Sequence, residues 1–454
     1  MGLFERAHWT AFAAWSARDE HRLPFRPPAA ILDLQDHRVR AIIRYAYRSV
    51  PFYHEAMNSA GIEPRDIRTA ADLRCLPMIS GADLRRTPDR LRSSLLSHSD
   101  VLELRSTGTT GSPKTVAYDH RALFLALAGG MRQRHMLRAL TGMRGAYREM
   151  TIARQNSVSI QMRDFFRSRL WRLPRVDLQR GVLDQEEPPD SAVERINRFR
   201  PHTLFGMGSH IGSLYRWANG RNTDLFRPKV IIYGGDRMAD NDRELLESEL
   251  GVAVVSIYQA VESLRIGFEC EHRRGFHLSL DTLAVRVVDE QLDDVGPGDA
   301  GELVVSNLVN RATVLLNYRL GDRVRLEPEP CPCGRMLPTI ELLEGRPSEA
   351  VLLPDSSTLQ GGSILVALHG VDGVQQVQLE QEELRTFTVR AVLQRGTDRA
   401  RAGEELASAV RSVLGADITV RVSPVDQIPP GPGGKVQAVT SRCLEDSATE
   451  EDGR

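Results

Sequence analysis

Up to about residue 100 the apolar positions keep a helical rhythm: Val39, Ile42, Ile43, Ala46 and Val50 fall on one face, and Pro51 stops the run. Beyond about residue 200 short apolar runs alternate with amphipathic stretches. Thr203-Leu204-Phe205 precedes a helix-like segment reaching Ala218, and Val230-Ile231-Ile232-Tyr233 reads as a strand. Asp240 to Leu250 reads as a helix closed by Gly251, and Val252 to Tyr258 as a further strand. Strand, helix, strand, helix, strand at this spacing predicts parallel pairing through right-handed crossovers, with ligands bound beyond the carboxyl ends of the strands. Leu283 to Asp289 and Gly301 to Val305 are strands around the turn Gly296-Pro297-Gly298-Asp299. From about Arg346 the pattern becomes that of a small α+β domain, with strands Val374 to Leu379, Thr386 to Leu393 and Ile418 to Val422 and a helical period over Ala402 to Leu414. The acidic end from about Glu445 is expected to be disordered. The fold class is therefore α/β: a large N-terminal domain with parallel-rich sheets, then a small α+β domain.

Length supports that division, because 454 residues exceed what one compact core accommodates. A net charge of −1 gives no global attraction to nucleic acid or membranes, and no apolar run approaches the roughly 18 residues of a membrane span. The start, Met-Gly-Leu-Phe-Glu-Arg, lacks the basic and apolar regions of a secretory signal, so the cytoplasm is the expected location. The oligomeric state is left open, a dimer included.

The candidate chemistry begins at Ser106-Thr107-Gly108-Thr109-Thr110-Gly111-Ser112-Pro113-Lys114. Hydroxyls alternating with glycines let the backbone bend around a guest and turn N–H and O–H donors inward, which suits a polyphosphate. Only two residues separate Gly108 from Gly111, where a Walker loop has four, so this is not a Walker loop. Positive charge is carried almost wholly by arginine; the lysines are Lys114, Lys229 and Lys435. A compact ammonium differs from a planar guanidinium, so the retained lysines point to sites that need the former. Lys435 closes a second glycine-rich stretch, Pro429-Pro430-Gly431-Pro432-Gly433-Gly434-Lys435. Between residues 132 and 180 twelve arginines stand against three acids, read either as solvated helix faces or as a basic flank for an anionic acceptor.

Five cysteines do not make a disulfide scaffold at this length. Cys270, His277, Cys331 and Cys333 offer three thiolates and an imidazole, the donors of a closed structural zinc site, with His272 as a substitute for His277.

The glycine loop, Tyr233-Gly234-Gly235-Asp236, Tyr258-Gln259-Ala260-Val261-Glu262, Tyr318-Arg319-Leu320-Gly321-Asp322, Gly345-Arg346 and Gly434-Lys435 occur in that order. Together they resemble the motifs of the adenylate-forming enzymes (acyl-CoA synthetases, peptide-synthetase adenylation domains, luciferases), nearest to the phenylacetate-CoA ligase and CapK-like branch. The resemblance implies an ATP- and Mg²⁺-dependent ligase that joins a small carboxylic acid, an aromatic one among the candidates, to AMP. The acyl group then passes to an acceptor, with coenzyme A the family default. It implies that Ser106 to Gly111 and Lys114 hold phosphates, that Gly234, Gly235 and Asp236 border adenine and acyl group, and that Tyr258 and Gln259 lie at the purine. Asp322 would bind the ribose hydroxyls, Arg346 the ribose or phosphate, and Glu262 the Mg²⁺. Lys435, Glu262 and Thr107 would stabilise the transition state. The large domain would end at residue 345 and a mobile small domain would span 346–454. The branch shares a similar Cys/His set, which strengthens zinc.

Three departures from the family pattern stand out. Gln259 and Val261 replace a glycine and a hydroxyl residue, and the latter removes a hydrogen bond of about 1.5–3 kcal/mol to a phosphate. Pro347-Ser348-Glu349 follows Gly345-Arg346, so the hinge carboxylate is absent or moved to Glu349. Tyr147-Arg148-Glu149-Met150 stands where phenylacetate ligases carry a glycine-rich aromatic stretch. An amine, a carrier-protein thiol or another nucleophile as acceptor, and a non-catalytic AMP-binding protein, are the alternatives.

Overall fold

The computed structural model describes residues 2–106, 114–142, 147–171, 178–344, 350–355, 357–394, 396–429 and 436–444. Three helices open the chain, Leu3–Ala17, Pro28–Ser49 and Pro51–Ser59. Pro51 ends the second and also starts the third, where its missing N–H costs nothing. Val39, Ile42, Ile43 and Ala46 are all buried in the main core, as their spacing predicts.

An eleven-stranded sheet dominates the large part of the molecule. Its parallel half runs Leu178–Leu183, Tyr147–Ile152, Thr203–Gly206, Val230–Gly234, Ala253–Ala260, joined by crossovers that include helices Pro189–Phe199 and Gly208–Gly220. The other half is antiparallel: Leu264–Glu269, Phe276–Leu278, Thr339–Glu344, Tyr318–Leu326, Ala300–Asn307 and Leu283–Val288. The sheet is thus mixed, with the predicted parallel unit as one half of it. A separate two-stranded ribbon, Val101–Arg105 with Thr115–Asp119, carries the glycine loop at its end.

A second core, built from Val351, Ile364, Leu368, Leu379, Phe387, Val389, Leu406, Val410 and Val439 among others, belongs to the C-terminal part. It lies between helices Gly361–His369 and Arg399–Leu414 and a four-stranded sheet ordered Thr419–Pro424, Thr386–Leu393, Val374–Glu383, Val439–Ser441. Where this part meets the large one, the buried Arg216 pairs with Asp242 and donates to Gln376 Oε1 at 3.0 Å. No helix of the described residues is long and apolar enough to cross a membrane.

Candidate active site

Ser106 and Lys114 form the neck of the glycine loop. The Ser106 N–H donates to the Lys114 carbonyl at 2.8 Å, and the Lys114 N–H donates back to Ser106 Oγ at 2.8 Å. The Ser106 hydroxyl therefore serves the neck. Lys114 Nζ leaves it towards the turn between strands Ala253–Ala260 and Leu264–Glu269. There it donates to Glu262 Oε1 at 2.5 Å and to the Tyr318 hydroxyl at 2.9 Å. The Tyr318 hydroxyl donates to the same Glu262 oxygen at 3.0 Å. Glu262 and Tyr318 are buried, so the carboxylate is tolerated only with such partners. The turn beneath it holds Leu264 at φ 59°, a conformation unfavourable for a leucine and of the kind that collects at functional sites.

The N-terminal helices support this cluster. Tyr53 donates to the Val314 carbonyl at 3.2 Å and accepts from the Leu316 N–H at 2.8 Å. Asn317 Nδ2 donates to the Leu73 and Leu76 carbonyls at 2.6 and 3.0 Å. Residues of the N-terminal part thus fix the start of the strand that presents Tyr318.

Further along that strand, Gly321 at φ 85° makes a bulge against Leu303 that turns Asp322 towards Tyr258. The Tyr258 hydroxyl donates to Asp322 Oδ2 at 2.5 Å, and both residues are buried. Each member of Gly234-Gly235-Asp236 has a backbone reason. A Cβ on Gly234 would lie 2.8 Å from the Ile257 carbonyl, and Gly235 sits at φ 92°. Asp236 accepts from the Gly208 N–H at 2.6 Å and from the Ser209 hydroxyl, capping helix Gly208–Gly220 from outside its own sequence. The Gln259 amide covers Gly234, 3.0 Å from where its Cβ would stand.

At the opposite end of strand Leu264–Glu269, the donor atoms of Cys270, His277, Cys331 and Cys333 lie within 4.8 Å of one another. Cys270 Sγ is 3.6 Å from Cys331 Sγ, far from a disulfide, and Cys333 Sγ is 3.3 Å from His277 Nε2. His277 Nδ1 donates to the Leu337 carbonyl at 3.0 Å, which leaves Nε2 as the ligating atom. N–H groups of His272 and Arg335 point at the Cys270 and Cys333 sulfurs, both at 3.4 Å. Burial pushes the Cys270 thiol up to about 12. Three thiols and one correctly oriented imidazole fit a closed tetrahedral zinc site, and strand pairing of His277 with Thr339 selects it over the exposed His272.

The C-terminal residues 352–442 match the CapK C-terminal domain family. The chain is 25% identical to phenylacetate-coenzyme A ligase of Thermus thermophilus, covering 91% of this chain and 97% of that protein. It is 22% identical to the protein CapK of Staphylococcus aureus, covering 89% and 88%. A crystal structure of 2-hydroxyisobutyryl-CoA ligase in the postadenylation state aligns with a TM-score of 0.76 at 16% identity, covering 96% of this chain and 94% of that one. The chain is an adenylate-forming acid ligase. In sequence it is similar to phenylacetate-coenzyme A ligases and to CapK along most of its length.

Of the residues marked in the ligase sequence, the structure brings Lys114 and Glu262 together, Tyr258 and Asp322 together, and the four Cys/His donors together. Thr107, Gly108, Thr109, Thr110, Gly111, Arg346 and Lys435 lie outside the described residues, as does the 345–349 hinge. Among the arginines of the 132–180 stretch, several are committed to local partners: Arg132 to Glu20 and Asp281, Arg154 to Glu186, Arg163 to Asp164 and Arg180 to Glu149. That favours the solvated-face reading for Arg154, Arg163 and Arg180, whereas Arg132 is buried and belongs to the interior. The reading of the sequence missed Tyr318 as a partner of the Lys114–Glu262 pair, although the residue opens a motif already singled out.

Proposed function

We propose that this ligase activates a carboxylic acid as acyl-AMP with release of pyrophosphate and passes the acyl group to coenzyme A. The observation that carries the reading is the convergence of Lys114, Glu262 and Tyr318 at the neck of the glycine loop. Lys114 brings positive charge to the mouth of a loop whose N–H and hydroxyl groups suit phosphates. The Lys114–Glu262 pair holds each charge ready in a low-dielectric site, where the approach of phosphate oxygens exchanges partners without exposing a bare ion. Glu262 would offer a hard oxygen ligand to a Mg²⁺ accompanying ATP, and the metal would neutralise phosphate charge. Asp322 offers two acceptors to the ribose diol, with Tyr258 holding its carboxylate in place. Lys435 is assigned the donor role towards the acid and the α-phosphate, where charge grows as pyrophosphate leaves. The Cys/His set is assigned to one structural zinc, a closed site with no open position for chemistry.

Pyrophosphate release with ATP and Mg²⁺ over a panel of acids, with and without coenzyme A, tests the reading. Release that requires a particular acid and quickens with coenzyme A is the expected result. Release indifferent to coenzyme A would move the acceptor to an amine or carrier protein, and silence over the whole panel would refute adenylation.

A further inference from the structure

Helix Gly208–Gly220 carries one arginine, and that residue serves both parts of the molecule. Arg216 is buried, and its counter-ion, the buried Asp242, belongs to the same large part. Gly212 makes room for the carboxylate, since a Cβ there would lie 2.7 Å from the Asp242 Cβ. Ser213, one turn back on the helix, accepts from Arg216 Nη2 at 3.0 Å. The charge is therefore balanced without the C-terminal part. Even so, Nη2 donates to Gln376 Oε1 at 3.0 Å, and Nη1 lies 3.5 Å from the Gln375 carbonyl. A guanidinium fork has enough donors to keep its carboxylate and still reach across a seam.

Packing does little to orient the C-terminal part at this place. A cleft of about 690 Å³ opens beside the seam, lined by Arg154, His210 and Trp217 from one part and by Gln394, Arg399 and Val425 from the other. Interdigitated side chains would fix an orientation by their shape; a cleft cannot. The task falls to hydrogen bonds: those of Arg216, and that of Asn241 Nδ2 to the Val374 carbonyl at 3.4 Å.

The acceptors Val374, Gln375 and Gln376 all lie at the start of strand Val374–Glu383. A little further on, the same strand holds the exit of the second glycine-rich stretch. Gln378 Nε2 donates to the Gln437 carbonyl at 2.9 Å, the Leu379 N–H donates to the Ala438 carbonyl at 2.8 Å, and Leu379 to Gln381 pair with Val439–Ser441. Arg390 Nη1 donates to Gln378 Oε1 at 2.9 Å, which sets the way that amide faces. Gln437 stands two positions after Lys435. Gln376 and Gln378 are about 7 Å apart along one strand, so the grip at the first is carried to the second with little slack.

We propose that Arg216 is a positioning residue for Lys435: by holding the start of strand Val374–Glu383, it fixes where that strand delivers the Lys435 loop to the large part. This rests on the donor role assigned to Lys435 in adenylation and adds the contact that aims it. A misplacement of about 1 Å far from the reacting atoms is enough to cost a large factor in rate.

The test measures ATP-dependent pyrophosphate release by the full-length protein and by Gln376→Leu, Arg216→Lys, Lys435→Ala and the double variant Gln376→Leu with Lys435→Ala. Gln376→Leu removes the acceptor across the seam and leaves the ion pair whole. Arg216→Lys keeps a charge for Asp242 and removes the fork. The expected result is a kcat about tenfold or more lower in each, with the KM for ATP unchanged, and no further fall when Gln376→Leu is added to Lys435→Ala. Wild-type kcat in either seam variant would overturn the proposal, and so would the same factor lost in the Lys435→Ala background, which marks damage unrelated to that lysine. Lys435→Ala turning over at the wild-type rate, or a wild-type protein silent with every acid, would instead refute the donor role or adenylation itself, and the positioning role would fall with it.

Discussion

Strand Leu264–Glu269 has a buried polar cluster at each end, and the two are built on opposite principles. Before it, Lys114, Glu262 and Tyr318 form an ionic cluster whose members come from three distant parts of the chain. After it, Cys270, His277, Cys331 and Cys333 form a compact donor set held by backbone groups. The first can exchange partners when charge arrives, since its groups remain hydrogen-bonding donors and acceptors for phosphate. The second is suited to closure: four such donors on one ion would leave no position for substrate. One end of the strand can bind and release; the other keeps the strand where it is.

Removing the charge that meets the transition state is the harshest test of this contrast. Lys435→Ala should lower pyrophosphate release about a hundredfold or more with ATP affinity nearly unchanged, and turnover at the wild-type rate would remove the assignment. Asp322→Ala should act on affinity instead, weakening ATP binding about tenfold or more through loss of charge-assisted hydrogen bonds; an unchanged ATP titration would contradict the ribose role. Tyr318→Phe removes two hydrogen bonds from the ionic cluster and should slow adenylation by about three- to tenfold, each bond being worth about 0.5–1.5 kcal/mol. At the other end, Cys331→Ser should release the zinc, present at about one per chain, and lower the melting temperature by about 5 °C or more. A variant that melts with the wild-type protein would mean the cluster staples nothing.

The legible part of the molecule was local. Gly234, Gly235, Gly321 and Asp236 each answer a backbone demand within a short stretch, so their motifs could be read in order along the chain. The helical face from Val39 to Ala46 and the parallel strands from Thr203 to Ala260 follow from spacing alone. Pairings across the chain were not legible. Lys114 meets Glu262 across 148 positions, and nothing in either segment names the other. The choice of His277 over His272 depended on which residue faces Thr339 across a strand pair. The antiparallel half of the sheet was hidden for a similar reason, since its strands read singly as hairpin pieces and only their pairing joins them to the parallel half.

The pairing of Lys114 with Glu262 has a consequence for nucleophilicity. An acyl-adenylate, the product proposed for this site, acylates free amines. Lys114 stands there as an ammonium, its lone pair occupied by a proton that Glu262 and Tyr318 hold in place. The other lysines are Lys229, which is exposed, and Lys435, while arginine keeps its proton and does not compete as a nucleophile. A protein that puts its surface charge on guanidinium groups is chemically quiet towards the reagent it makes, and any that escapes finds few side chains of its maker to modify.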